Sequence, residues 1–160
     1  MRILGIDPGL ERVGVGLVRT EGSRLHLLHQ ELIQTPRILI PDRLALIHER
    51  VSELISTFQP DALATERQLF AANKTTALDV AKALGVVLLA GAKHHLPWAE
   101  YTPPEVKLSV VGTGSADKKQ VQFMVTRLLN LSATPKPDDV ADALAVAICH
   151  SFRHRVPTKS

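Results

Sequence analysis

The stretch Ile3-Leu4-Gly5-Ile6-Asp7-Pro8-Gly9-Leu10, followed by Val13-Gly14-Val15-Gly16-Leu17-Val18, constrains the fold more than any other part of the chain. A short apolar run ends on a carboxylate, a Pro-Gly turn signal follows at once, and a second apolar alternation then begins. This pattern specifies a buried strand that carries Asp7 to its exposed end, a tight turn and an antiparallel return strand. A carboxylate in that position is costly to desolvate and needs a partner: a metal ion, a phosphate donor, a proton or an arginine.

Further along, Leu25 to Ile33 is apolar enough for a third strand, with Gly22-Ser23 supplying the turn before it. Both connections are too short for a crossover, so the first three strands form an antiparallel meander. Pro41-Asp42 opens a helix with Asp42 as the expected N-cap. Leu44, Ile47, His48, Val51, Leu54, Ile55 and Phe58 form its apolar stripe, and Pro60 stops it. His48, at the border of the stripe, reads as a packing histidine. Asp61 to Glu66 is again short, apolar and closed by an acid. Coming after a helical crossover, it is expected to run parallel to the first strand. Parallel strands end on one sheet edge, so Asp7 and Glu66 are candidates to meet in space.

A long helix is expected from about Ala71 to His94, and from Ala83 to Ala92 it has no charged residue. Such a helix needs cover on more than one side, and a second subunit can supply it. Leu96 to Tyr101 reads as the last strand, and Glu105 to Val110 as a short helical turn carrying Lys107. Ser115 is the expected cap of a helix with Val121, Met124, Val125, Leu128 and Leu129 on its apolar face. Lys118 and Lys119 stand in the first turn of that helix, where cations oppose the macrodipole, which hints at a phosphate partner. The final helix opens Asp138-Asp139-Val140-Ala141-Asp142 and continues to about Phe152. Asp139 and Asp142, three apart, share a helical face; Asp138 and Asp142, four apart, can do so as well.

Composition sets wider bounds. The chain has 160 residues with 45% hydrophobic and 22% charged content, ordinary for one globular domain. We expect a single domain over residues 1–152 and a short basic tail over 153–160. No run of about 18 apolar residues predicts a membrane span, and no signal-peptide succession opens the chain. A lone cysteine, Cys149, fits a reducing compartment; together these point to the cytoplasm. The net charge of +3 is weakly basic, with the cations concentrated in the C-terminal half.

The expected element order is β-β-β-α-β-α-β-α-α, with acids at the ends of strands one and four and on the last helix. Gathered carboxylates repel one another, and a divalent cation removes that penalty. Oxygen donors favour Mg²⁺ or Mn²⁺, and no Cys/His set at zinc spacing is present. A pair of such ions is the usual clamp for phosphodiester hydrolysis.

Four blocks, LGIDPGLERVGVGLV, ATERQLFAAN, VVGTGSADKKQVQFMV and DDVADALAVAICH, resemble in order the blocks of the RuvC Holliday-junction resolvases. The resemblance runs from Arg2 to about Phe152. It implies a ribonuclease-H-like α/β fold, a five-stranded mixed sheet of three antiparallel strands and then two parallel ones, flanked by helices. It also implies a homodimer, through the helix around Ala77–Ala92, that nicks four-way DNA junctions in symmetric pairs and leaves 5′-phosphate ends. Asp7, Glu66, Asp139 and Asp142 match the family's catalytic, metal-binding acids, with Mg²⁺ the expected ion (Mn²⁺ a substitute) and two ions per site. Asp138 leaves the first member of the helical pair ambiguous. Lys107 and Lys118 match basic residues near the scissile phosphate and junction DNA; Lys119 and Arg67 are further candidate DNA contacts. Where relatives place an aromatic three residues after the glutamate to stack on an unpaired base, this chain has Leu69, with Phe70 one step later. The RuvA–RuvB branch-migration complex is the implied partner.

Other chemistries share parts of this pattern. A YqgF-like or ribonuclease-H-type nuclease acting on RNA or hybrids shares the Gly-Ile-Asp opening. A sugar-kinase or actin-like ATPase does too, but needs a second phosphate hairpin and a larger second domain. A module that binds branched DNA without cutting it would not need all four acids.

Overall fold

The structure, a computed structural model, describes residues 1–67 and 74–154. Its elements run β1 (Arg2–Asp7), β2 (Arg12–Glu21), β3 (Arg24–Gln34), α1 (Ile40–Phe58), β4 (Ala62–Glu66), α2 (Lys74–Lys93), β5 (Trp98–Tyr101), α3 (Pro103–Val111), α4 (Lys118–Leu128) and α5 (Asp138–Arg153). The strands form one five-stranded sheet in the order β3-β2-β1-β4-β5. β1–β2 and β2–β3 pair antiparallel, while β1–β4 and β4–β5 pair parallel, which is the mixed sheet expected.

Strand alternation sorts the side chains onto two faces. Leu4, Ile6, Val13, Val15, Leu17 and Leu63 pack with α1 and α2. Ile3, Val18, Ala64 and Tyr101 pack on the other side with α3, α4 and α5. The period of two therefore puts Asp7, two residues beyond Gly5, on the α5 side. Glu66, two beyond Ala64, lies on that side as well. β1 and β4 pair Ile6 with Thr65, so the two acids follow one step later at neighbouring strand ends.

α5 lies against the centre of the sheet because glycines clear its path. A Cβ on Gly5 would fall on the Ala143 carbonyl oxygen, and one on Gly14 on that of Asp139. On Gly16 it would come within 2.7 Å of the Leu144 side chain. Gly5 and Gly16 face each other across the β1–β2 ladder, as do Asp7 and Gly14. The alternating glycines of the opening motif thus form a flat bed for α5. The far end of this helix is tied to β5, where the Tyr101 hydroxyl and His150 Nδ1 lie 2.8 Å apart. Burial, and then His154 stacked on it, hold His150 down to about 4, so the ring is neutral at pH 7.

Three local expectations need correction. Asp42 is not the N-cap of α1: the helix starts at Ile40 with Leu39 at the cap position, and Asp42 sits in the first turn. Pro41 fits inside that turn because its missing N–H has no helical acceptor to meet. Ser115 is not the cap of α4 either. The Asp117 carboxylate accepts from the Gln120 N–H at 2.8 Å while the Gln120 side chain accepts from the Asp117 N–H at 2.8 Å, a reciprocal box. Finally, the helical turn expected at Glu105 to Val110 is a nine-residue helix, α3. Thr102 and Glu105 cap each other around Pro103-Pro104, so the element order gains a third late helix. His48 is half-buried, and its Nε2 is buried with no hydrogen-bond partner, as suits a packing histidine.

α2 keeps only one side in the core, with Ala83, Val87, Ala90 and Gly91 buried. Its opposite face carries Leu78 and Leu89, 61% and 50% exposed. By length and composition alone it is the one described helix apolar enough to cross a membrane, although Asp79 and Lys82 interrupt its apolar run. Its inner face is part of the protein core.

Candidate active site

Asp7 and Glu66 stand at the C-terminal ends of β1 and β4, and α5 brings Asp139 and Asp142 over them from the sheet face above. The consequence is electrostatic. Burial and then repulsion from Asp142, Asp139 and Glu66 push the Asp7 carboxyl up to about 8, against a smaller opposing pull from Lys118. Burial and then Asp142 push Glu66 up to about 7, with Lys107 and Lys118 acting in the other direction. Asp142 is raised as well, by burial first and by Asp138 and Asp139, with Lys118 opposing. The acids of the strand ends and of the helix therefore sense one another as a single cluster.

Two lysines complete its rim. Lys107 on α3 and Lys118 on α4 line a cleft of about 240 Å³ together with Glu66, Asp142, Pro103 and Val106. Lys118 Nζ also lies 2.9 Å from Asp138, which accepts a second hydrogen bond from the Gln122 side chain at 3.1 Å. That contact raises Lys118 and holds the exposed Asp138 below the usual carboxylate range. It also accounts for a cation in the first turn of α4: Lys118 ties α4 to the start of α5. Asp138 thus faces Lys118 at the rim, while Asp142 senses the buried acids.

Asp139 makes a contact that sequence reading does not supply. Arg12, the first residue of β2, lies 3.1 Å from it. Only the position of the hairpin under α5 brings this pair together, so spacing along the chain carries no signal for it. Of the remaining candidates, Lys119 lines a separate surface groove with Phe123 and Met124. Arg67 Nε donates to Glu100 at 2.7 Å, so its charge is engaged at the sheet edge. Leu69 and Phe70 lie outside the described residues.

The donor set fits a hard divalent cation. Every candidate ligand is a carboxylate, and a dication would offset both the burial and the repulsion that keep a proton on Asp7. Neither nearby soft nor nitrogen donor competes: Cys149 Sγ turns to Ser109 at 3.3 Å and His150 to Tyr101. As the side chains stand, no three acidic, histidine or cysteine groups among the described residues form a ready ligand set. The Asp139 carboxylate is instead turned to Arg12.

The chain is similar to known proteins over nearly its whole length. Residues 3–150 match the family model described as crossover junction endodeoxyribonuclease RuvC. The chain is 52% identical over 152 residues to the protein of that name from Alkaliphilus metalliredigens, covering 94% of this chain and 93% of the relative. It is 46% identical over 160 residues to the one from Halothermothrix orenii, covering 99% and 97%. Among solved structures, Thermus thermophilus RuvC in complex with a Holliday junction substrate superposes with a TM-score of 0.94 at 39% identity, covering 97% of this chain and 95% of that one.

Proposed function

The chain belongs to the RuvC family of crossover junction endodeoxyribonucleases, and on that premise we propose how its acids, lysines and open helix face carry out the family's reaction. It is a structure-specific endonuclease with a ribonuclease-H-like fold that resolves four-way (Holliday) DNA junctions in recombination and repair. Nucleases of this family depend on divalent metal ions. Asp7, Glu66, Asp139 and Asp142 are the residues proposed to hold two of them, Mg²⁺ or Mn²⁺. Bound there, such ions supply polarisation of the phosphodiester and acidification of the attacking water.

The chain's own residues do the rest. β1 and β4, buried on both faces, fix Asp7 and Glu66 with little freedom, and the glycine bed fixes the height of α5 and its two acids. Lys107 and Lys118 face the same cleft and offset the charge of the phosphate to be cut. The observation that carries the reading is the convergence of four acids at one end of the sheet, where burial first, and then repulsion from Asp142, Asp139 and Glu66, push Asp7 up to about 8.

A four-way junction is close to two-fold symmetric, and two symmetric nicks call for a C₂ dimer with one site in each subunit. The exposed face of α2 is the surface proposed to close that dimer. Leu78, Ala81, Gly85 and Leu89 follow one another at three- and four-residue steps along it, all exposed. A Cβ on Gly85 would meet nothing, so a second helix can approach closely there. A RuvA–RuvB branch-migration complex and a cytoplasmic setting complete the proposal.

The discriminating experiment offers three substrates to the protein with Mg²⁺: a synthetic four-way DNA junction, a linear duplex and an RNA–DNA hybrid. Paired nicks in the junction, with weak cutting of the other two, are expected. Preferential cutting of the hybrid would overturn the resolvase reading in favour of a ribonuclease-H-type activity.

A further inference from the structure

Beside the acids, on the side away from Lys107, lies a second and wider groove of about 730 Å³ lined by Arg12, Lys118, Lys136, Pro137, Asp138 and Asp139. Its charges are arranged in pairs with one left over. Lys118 is matched by Asp138 at 2.9 Å and Arg12 by Asp139 at 3.1 Å. Lys136 is exposed and makes no ion pair among the described residues. Three cations thus stand against two carboxylates. The Arg12–Asp139 pair is partly open to water, with the two side chains 43% and 32% exposed, and the Lys118–Asp138 pair is more open still, at 56% and 59%. An ion pair that open to water is worth little by itself, so it is readily exchanged.

Asp139 has two claims on its oxygens. One is Arg12; the other is the divalent ion that the proposed function assigns to it. An ion ligated by Asp139 removes most of the attraction that holds the guanidinium, and leaves Arg12 uncompensated at the wall of a groove that already presents Lys136. A guanidinium released there matches the tetrahedral oxygens of a phosphodiester in a bidentate manner. Pro135 is buried, and the flanking prolines restrict the backbone at the exposed Lys136.

We propose that this groove is a nucleic-acid phosphate subsite in which Arg12 is handed from Asp139 to a backbone phosphate of the DNA when a divalent cation takes Asp139, with Lys136 as the second contact. The consequence is a coupling between ion and substrate: metal loading exposes a positive charge that the DNA then uses. This rests on the resolvase reading of the site.

The test measures binding of a fluorescent four-way DNA junction across a salt series, in Ca²⁺ to hold off cutting and in EDTA, for the full chain and for Arg12→Gln, Arg12→Lys and Lys136→Gln. In Ca²⁺, Arg12→Gln is expected to weaken binding roughly tenfold, the size of one charged hydrogen-bonded contact. It should also reduce the slope of log K against log salt by about one. In EDTA the same substitution should change affinity little, because Arg12 is then engaged by Asp139. Arg12→Lys should retain most of the ion-dependent part, and Lys136→Gln should lower the salt slope under both conditions. Without DNA, Mn²⁺ titrated calorimetrically should bind Arg12→Gln more tightly than the unsubstituted chain, since the competing cation is gone. Equal losses in Ca²⁺ and EDTA, or weaker Mn²⁺ binding by Arg12→Gln, would overturn the proposal while leaving the resolvase reading intact. Failure of the unsubstituted chain to prefer the junction over linear duplex would overturn both.

Discussion

A carboxyl that keeps its proton up to about pH 8 makes Asp7 a residue the folded protein prefers uncharged. In the unfolded chain an aspartate loses its proton near pH 4. Between those values the folded state binds more protons than the unfolded one, so stability conferred by protonated Asp7 is complete below about pH 4 and is lost as pH rises to about 8. With divalent ions chelated, the melting temperature should therefore fall across that window, and Asp7→Asn should raise it by several degrees at pH 7.5. A differential scanning calorimetry series in EDTA decides this; a flat profile, or an Asn variant that melts lower, would contradict the electrostatic conflict. The same protons compete with metal. Cutting at limiting Mg²⁺ should rise from pH 6 to pH 8.5 as Asp7 and Glu66 ionise, with saturating Mg²⁺ displacing the rise to lower pH. Asp7 and Glu66 are legible in the sequence because each ends an apolar run, and the two-residue period assigns them a face. Arg12 is not legible, since its partner lies on an element more than a hundred residues away, brought close only by the packing of the hairpin under α5.

At the scale of the element, the site depends on how deeply α5 settles onto β1 and β2. Gly14 faces Asp139, and a methyl group there would strike the Asp139 carbonyl oxygen. Gly14→Ala should lift the start of α5, costing about 3 kcal/mol or more as overpacking against backbone. Activity should fall further than stability alone explains, because the lift separates Asp139 from Asp7. Denaturant unfolding set beside cleavage rate would show it; a neutral substitution would mean the bed is not needed. The helix caps explain where sequence reading stops. Ser115 stands in the right neighbourhood, but Asp117 and Gln120 at the three-residue spacing of a capping box define the true start of α4. The signal lies in Asp117-Lys118-Lys119-Gln120, two residues after a serine that is itself a favoured capping type. Asp117→Ala should cost about 1 kcal/mol, whereas Ser115→Ala should cost much less. α3 is longer than the turn expected at Glu105 to Val110 because Pro103-Pro104 occupy its first positions, where proline is tolerated.

For the whole molecule, what matters is the uncovered apolar side of α2. The uncharged run from Ala83 to Ala92 signals a need for cover, yet it does not tell a core helix from an interface, because both are apolar all round. Leu89, half exposed in a single chain, is the residue that favours the proposed interface. Leu89→Glu should weaken the proposed dimer roughly a hundredfold or more, given the cost of an unpaired charge enclosed in an apolar contact. Analytical ultracentrifugation should then find monomers that retain the native circular dichroism spectrum and make unpaired nicks; a dimer unaffected by the change would place the interface elsewhere.

The four acids are claimed to act as one ion-binding, bond-cutting centre that is separable from recognition of the junction. The most direct measurement follows cleavage and binding of the same four-way junction by Asp7→Asn in Mg²⁺. Cutting should fall by at least about a hundredfold, the scale of losing one preorganised electrostatic group in a buried site. Affinity for the junction should remain close to that of the unsubstituted protein, because the fold and the basic rim are untouched. Cutting that survives the substitution, or binding that is lost along with it, would contradict the assignment of Asp7 as the centre of the site.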